Sequence, residues 1–109
     1  MTYQEIMNMM TEMGLPFAYH HFAEGESPEP PFLVFLFPSS DNFGADNKVW
    51  KKITTLRIEL YTDYKQPDIE EAVENVLDEH EIFYDKDEVW IAEERLYEVA
   101  YTMEVIYGQ

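Results

Sequence analysis

Few side chains in this sequence are of the kinds that carry out covalent chemistry. The chain of 109 residues has no cysteine, and its only serines are Ser27, Ser39 and Ser40. An enzyme needs a nucleophile, an acid–base pair or a metal held in a pocket. His80 is expected at a helix end beside acidic residues, and the carboxylates are too numerous to single out an acid–base pair. We therefore predict no catalytic residues and no enzymatic activity.

Two groups of side chains could in principle hold a metal ion. His20 and His21 are adjacent in the aromatic stretch 17–23, which is predicted to be a strand, and alternation along a strand would point them to opposite faces. The loop 39–50 contains four oxygen donors: Asp41, Asn42, Asp46 and Asn47. They lack the spacing of a calcium loop, and the single Gly44 gives no phosphate-binding pattern, so turn formation is the expected role. We predict no metal site and no cofactor.

The charge of the chain limits its partners. Seven basic and 23 acidic residues give a formal net charge of −16, which would repel DNA phosphates and anionic membrane surfaces. With 46% hydrophobic and 16% aromatic residues, the chain is expected to fold as one domain, residues 1–109. The first ten residues include no lysine or arginine, unlike a signal peptide, and no apolar run reaches membrane-spanning length. Synthesis in the cytoplasm is therefore expected.

The charges are also unevenly placed. Residues 48–65 contain five bases and two acids, a net of +3, whereas residues 68–98 contain thirteen acids and two bases, a net of −11. This distribution is explained either by a solubilising acidic face or by a subunit whose positive and negative edges meet head to tail in a closed ring. The candidate contact residues are Asn42, Phe43, Asp46, Asn47, Lys48, Trp50, Lys51 and Lys52. The candidate acidic edge or lumen consists of Glu70, Glu71, Glu74 and Asp78.

Hydrophobic periodicity predicts the elements that position these groups. The run 32–37 is apolar on both faces, as in a covered strand, and we expect it to be the central strand of the sheet. Residues 53–62 alternate, with Leu56, Ile58 and Leu60 on one face, and should pair with the first run as a wide hairpin. The intervening loop, 39–50, is long for a compact domain and is the first candidate for a contact surface.

Two helices and three further strands complete the prediction. Thr2 and Glu5 have the spacing of a capping box, followed by an apolar stripe of Ile6, Met9, Met10 and Met13. A second amphipathic helix should follow Pro67, with Ile69, Ala72, Val73, Val76 and Leu77 on its buried stripe. Strands are predicted at 82–84, 89–92 and 96–107, with a turn at 85–88. The predicted fold class is α+β, a two-layer sandwich of a mainly antiparallel sheet with two helices on one face.

The segments FAYHHF, PPFLVF, NFGADNKVW, IELYT and YDKDEVWIAEERLYEVAYTMEV together resemble a known family of small phage proteins. These are the tail terminator, or tail-completion, proteins encoded in the head-to-tail joining region of tailed phages and prophages of Gram-positive hosts. The similarity covers the chain from about Leu15 to Tyr107, and its motifs are packing and loop motifs.

The resemblance implies an α+β fold and a homo-oligomeric ring, expected to be a hexamer, that stops polymerisation of the tail tube without catalysis. It implies the major tail tube protein and head–tail connector proteins as partners, DNA only as passing cargo, and no membrane. The implied location is the tail or neck of the virion, after synthesis in the bacterial host cytoplasm. An acidic lumen would repel DNA phosphates and let the duplex slide.

An alternative function explains the net charge more directly. Small acidic proteins can inhibit a nucleic-acid-binding protein by imitating the phosphate spacing of DNA. Such a mimic has no evident use for the basic cluster at 48–65 or for the long loop. It should be a monomer or dimer that binds a basic partner with steep salt dependence, whereas a terminator should self-associate or cap tail tubes.

Overall fold

The computed structural model describes residues 1–40 and 52–108, together with the backbone of residues 43–45 and 48–51. These residues form two helices, a five-stranded sheet and a separate two-stranded sheet. The elements, in chain order, are α1 (Tyr3–Glu12), β1 (Phe17–Tyr19), β2 (Phe32–Ser40), β3 (Phe43–Ala45), β4 (Lys48–Lys51), β5 (Ile53–Thr62), α2 (Pro67–Glu79), β6 (Asp85–Ile91) and β7 (Leu96–Ile106).

Helix α1 begins as its sequence predicts. The Thr2 hydroxyl accepts a hydrogen bond from the Glu5 amide at 3.1 Å, and the Glu5 carboxylate accepts one from the Thr2 amide, which completes the capping box. Met9 and Met10 are fully buried, so the methionine stripe belongs to the core. The helix ends at Glu12 with Met13 as its C-cap, and the following Gly14 has a φ of +76°, a conformation that glycine adopts without steric cost.

The five-stranded sheet has the order β1-β2-β5-β7-β6. Strand β5 is its centre, so the prediction that residues 32–37 form the central strand is wrong. Strand β2 pairs with β5 in an antiparallel arrangement, but its other neighbour is the three-residue β1, which lies parallel to it. In contrast, all ten residues of β5 pair with β7. The sheet is therefore mixed, although three of its four strand pairs are antiparallel.

Both helices pack on one face of this sheet, which confirms the predicted α+β class. Leu56, Ile58 and Leu60 of β5 lie in one buried cluster with apolar residues of α1 and α2. Alternate residues of β7 are buried in the same layer: Val99, Tyr101, Met103 and Val105. Burying each large apolar side chain contributes about 1.5–3 kcal/mol, so this shared layer holds the helices to the sheet.

The segment after α2 differs from its prediction. Residues 85–88 were expected to form a turn and instead begin β6, whereas residues 82–84 lie outside any strand. Strand β6 is at the edge of the sheet and most of its side chains are exposed, so it lacks the apolar alternation that marks a strand in a sequence. Within α2, Ala72 is exposed and does not join the buried stripe.

The predicted loop 39–50 contains regular structure. Strand β2 continues to Ser40, which pairs with Thr54 of β5, and β3 and β4 form an antiparallel ribbon of their own. The register of this ribbon shifts between Phe43 and Gly44. We call strands β3 and β4 the ribbon.

Candidate interaction surfaces

Four of the predicted contact residues lie on the ribbon and a fifth follows it directly. Phe43 is on β3, and Lys48, Trp50 and Lys51 are on β4, with Lys52 directly after it. Asn42, Asp46 and Asn47 lie outside the described residues. The ribbon is a sheet separate from the five-stranded one, and the described residues span a long axis of 49 Å against 29 and 23 Å.

Basic side chains elsewhere in the chain are used within the subunit. Arg57, Lys65 and Lys86 each make ion pairs of 2.7–2.9 Å. Of the other four bases of the chain, three fall within residues 48–52 and the fourth is Arg95. The net positive charge predicted for residues 48–65 is thus concentrated on the ribbon and its immediate end.

Glu70 does not belong to an open acidic surface, contrary to the expectation for the predicted edge. Its side chain is only 3% exposed, and its carboxylate lies 2.7 Å from Lys65 Nζ and 2.9 Å from Lys86 Nζ. Burial opposes ionisation of Glu70, but the hydrogen bonds from the two lysines outweigh it and lower its pKa. The residue four positions after Glu70 on α2 is another acid, Glu74, so the helix itself offers no basic partner. In the structure the two partners, Lys65 and Lys86, come from outside the helix.

Glu74 is also part of this network. Its Oε2 accepts hydrogen bonds from Lys86 Nζ and from the hydroxyl of buried Tyr101, both at 2.8 Å. Burial and the hydrogen bond to Glu74 raise the pKa of Tyr101. The hydroxyl therefore stays protonated and donates a hydrogen bond to Glu74. Glu71 and Asp78 are exposed. The four predicted acidic residues therefore divide into two that join α2 to the sheet and two that face water.

A second charged network lies on the face of the sheet opposite the helices. Arg57 Nε is 2.7 Å from Glu59, and Arg57 Nη2 is 2.8 Å from Glu98 on the neighbouring strand. The Tyr61 hydroxyl donates to Glu59 at 2.9 Å, and the Tyr61 ring stacks on Phe32. Burial, followed by the charge of Glu59, raises the pKa of Tyr61. This network matches most of its charge internally and presents half-buried side chains.

A groove of about 770 Å³ lies where β6 begins, beside the last residues of β7. We call it the β7 groove. Its apolar lining includes Phe83, which is 83% exposed, and Ile106, which is 40% exposed. Its acidic lining residues are Glu5, Glu81, Asp85 and Glu104, and among the described residues no lysine or arginine lines it. Sequence reasoning missed this surface, because its residues come from four separate parts of the chain.

The two adjacent histidines are closer together than predicted. Strand β1 ends at Tyr19, and His20 has a φ of +66°, which interrupts the alternation expected of a strand. As a result the two Nδ1 atoms are 3.0 Å apart. Across residues 1–40 and 52–108, no group of three or more potential ligands is placed to hold a metal ion.

Two comparisons with known proteins identify no relative of this chain. No family model and no curated protein sequence matches the chain. Within the part of the chain that the structure describes, no helix is long and apolar enough to cross a membrane.

Proposed function

We propose that this protein is a non-enzymatic tail terminator of a phage or prophage. In this proposal, copies of the chain form a ring, expected to be a hexamer, at the head-proximal end of the tail tube. The ring stops tube polymerisation and joins the tube to the head connector proteins, and DNA passes through it. The protein would be made in the host cytoplasm and become part of the tail or neck of the virion.

The observation that carries the proposal is the ribbon. It holds two of the seven basic residues of a subunit with a net charge of −16, with a third, Lys52, directly after it, and it forms a sheet separate from the domain's main sheet. Two-stranded sheets are only marginally stable alone in water, so packing against a partner would stabilise this one. A ring subunit needs such a charged projection to contact its neighbours or the tube.

The resemblance of five sequence segments to tail terminators is the reason for proposing this particular function and these partners. The α+β class agrees with the fold that the resemblance implies. The acidic lumen remains part of the proposal in a narrower form. Glu71 and Asp78 are its exposed candidates, because Glu70 and Glu74 are neutralised by lysines within the subunit.

The first test is the mass of the protein in solution, measured by light scattering on a sizing column at low and high salt. A ring of six subunits would have about six times the subunit mass of 13.0 kDa. High salt should favour it, because screening weakens repulsion between subunits of −16. The second test adds the protein to polymerising tube protein from the element that encodes it, and tube lengths are measured by electron microscopy.

Shorter tubes with a ring at one end would support the proposal. Tubes of unchanged length and frequency, with no bound protein, would contradict it. A monomer or dimer that binds a basic protein with steep salt dependence would instead favour the DNA mimic. The internal pairing of Glu59, Glu70, Glu74 and Glu98 removes several carboxylates from the surface that such a mimic would use.

A further inference from the structure

The edge of β7 is unpaired over a short stretch at the β7 groove, between the end of its pairing with β6 and Met1, whose carbonyl accepts a hydrogen bond from the Gly108 amide. The last residue pair between β6 and β7 is Asp85 with Thr102, but β7 continues to Ile106. The Tyr107 amide donates to the Lys52 carbonyl on the β5 side, whereas the Ile106 carbonyl accepts from the amino group of Met1 on the other side. Backbone groups alternate in direction along an antiparallel strand, so Glu104 turns its amide and carbonyl towards the groove, as Ile106 does.

The groove therefore offers three features to one ligand. The amide and carbonyl of Glu104 fit a short contact with an extended backbone, as in recognition by strand addition. The exposed Phe83 and Ile106 of the groove fit apolar side chains, and its acidic residues fit cations. Together these features describe an extended segment in which basic residues flank apolar ones.

We propose that the β7 groove binds strand β4 of a second copy of this chain. Strand β4 has the sequence KVWK, in which Lys48 and Lys51 flank Val49 and Trp50. Among the described residues, β4 pairs only with β3, on one of its edges. Its other edge is open to a further strand. Its charge is complementary to that of the groove, which carries four carboxylates.

The position of the ribbon allows this exchange between subunits. The ribbon leaves the main sheet between Ser40 and Ile53, and Ile53 pairs with Ile106 at the groove. Each subunit thus presents a donor strand and an acceptor groove at the same end of its sheet. The inference rests on the proposed function in one respect, because it names the contact that closes the ring.

A charge exchange on two separate chains tests the contact. The first variant reverses the net charge of the groove from −4 to +2 with Glu81→Lys, Asp85→Lys and Glu104→Lys, and the second reverses the strand with Lys48→Glu and Lys51→Glu. Each variant alone brings like charges together, so self-association should weaken about tenfold or more. When the two are mixed, every groove finds a strand of opposite charge, and association should return.

The matched control places Glu24→Lys, Glu93→Lys and Glu94→Lys at exposed positions outside the groove, the ribbon and the candidate acidic edge. It changes the net charge as the groove variant does, but it should not weaken association. A further variant, Phe83→Ser, removes the most exposed apolar side chain of the groove and should weaken association while unfolding at the same temperature as the original protein. Light scattering over a concentration series measures association, and circular dichroism confirms folding of each variant.

Three outcomes would overturn the inference: an original protein that stays monomeric at all concentrations and salts, a mixture that fails to associate, or a control that loses association as the groove variant does. Failure of the proposed function is a separate result. If both charge variants still form rings as the original protein does, the terminator proposal would stand and the proposed contact between β4 and the groove would be wrong. A mixture that restores only a two-subunit complex would support the contact and contradict the ring.

Discussion

Replacing Glu70 by glutamine should destabilise the fold although it lowers the charge of a very acidic protein. The side chain is almost fully buried and lies within 2.9 Å of two lysine Nζ atoms. Glutamine has a similar size but cannot provide the charge. A hydrogen bond to a charged group contributes about 1.5–3 kcal/mol, and breaking a buried ion pair can cost more.

The loss here should be at the lower end of that range. Lys65 keeps Glu88 at 2.7 Å, and Lys86 keeps Glu74 at 2.8 Å, so neither ammonium group is left without a carboxylate. Both lysines are also partly exposed, at 47% and 37%, and water can solvate them. We therefore expect Glu70→Gln to lower the free energy of unfolding by about 2 kcal/mol.

Urea unfolding followed by circular dichroism measures this change. The control is Glu71→Gln, which removes the same charge from the adjacent, exposed position. Surface substitutions of this kind change stability by about 0.5 kcal/mol or less. Equal stabilities for the two variants would refute the reasoning, because they would mean that the lysine pairs at Glu70 contribute nothing beyond net charge.

Three further predictions concern the same fold. Folding lowers the pKa of Glu70. The stability that its ionised carboxylate contributes is therefore fully present above the ordinary carboxyl pKa of 4.5 and is lost as the pH falls through the lower pKa of the folded state. The stability difference between the original protein and Glu70→Gln should therefore shrink below pH 4.5 in urea titrations at a series of pH values, and a constant difference would contradict this. Tyr101→Phe removes the buried hydroxyl that donates to Glu74 and should cost about 1–2 kcal/mol in the same assay, with no change counting against the hydrogen bond. Thr2→Ala removes the cap of α1 and should cost about 1 kcal/mol; the cost should shrink in a Glu5→Ala background, since both residues belong to one capping box, and purely additive costs would argue against that coupling.

Patterns confined to neighbouring residues predicted the structure well. The capping box of Thr2 and Glu5 satisfies amides within one helical turn, so its effect does not depend on the rest of the fold. The alternation of Leu56, Ile58 and Leu60 likewise placed one face of β5 in the core. These signals also sufficed for the α+β class, because they fix which elements must share a dry face.

Features that depend on distant residues could not be read in the same way. Strand β6 is an exposed edge strand, and its acidic start has the composition of a turn. Lys86 was therefore assigned to a turn, and its pairing with Glu70 and Glu74 on α2 went unnoticed. The choice of β5 as the central strand depends on the parallel pairing of β1 with β2, which no local pattern encodes.

The same limit applies to the candidate surfaces. The loop 39–50 was singled out by its length and composition, but its strands were not predicted. The acidic edge was chosen from helix spacing alone, which cannot show that two of its carboxylates meet lysines from outside the helix. The β7 groove joins α1, the end of α2 and the last strand, so only the folded chain brings its residues together.

The ribbon is an insertion between two strands that are already in register. Ser40 of β2 and Thr54 of β5 pair directly, so a two-residue Asn-Gly turn could join these strands in place of the intervening residues. Shortening a connection lowers the entropic cost of bringing its ends together, here by about 1.6 kcal/mol. The sandwich would thus lose only the contacts that Lys52 and Ile53 make with the end of β7. The fold of the sandwich and the proposed contact of the ribbon would therefore lie in separable parts of the chain, and changes in the length and sequence of the ribbon should leave the domain folded.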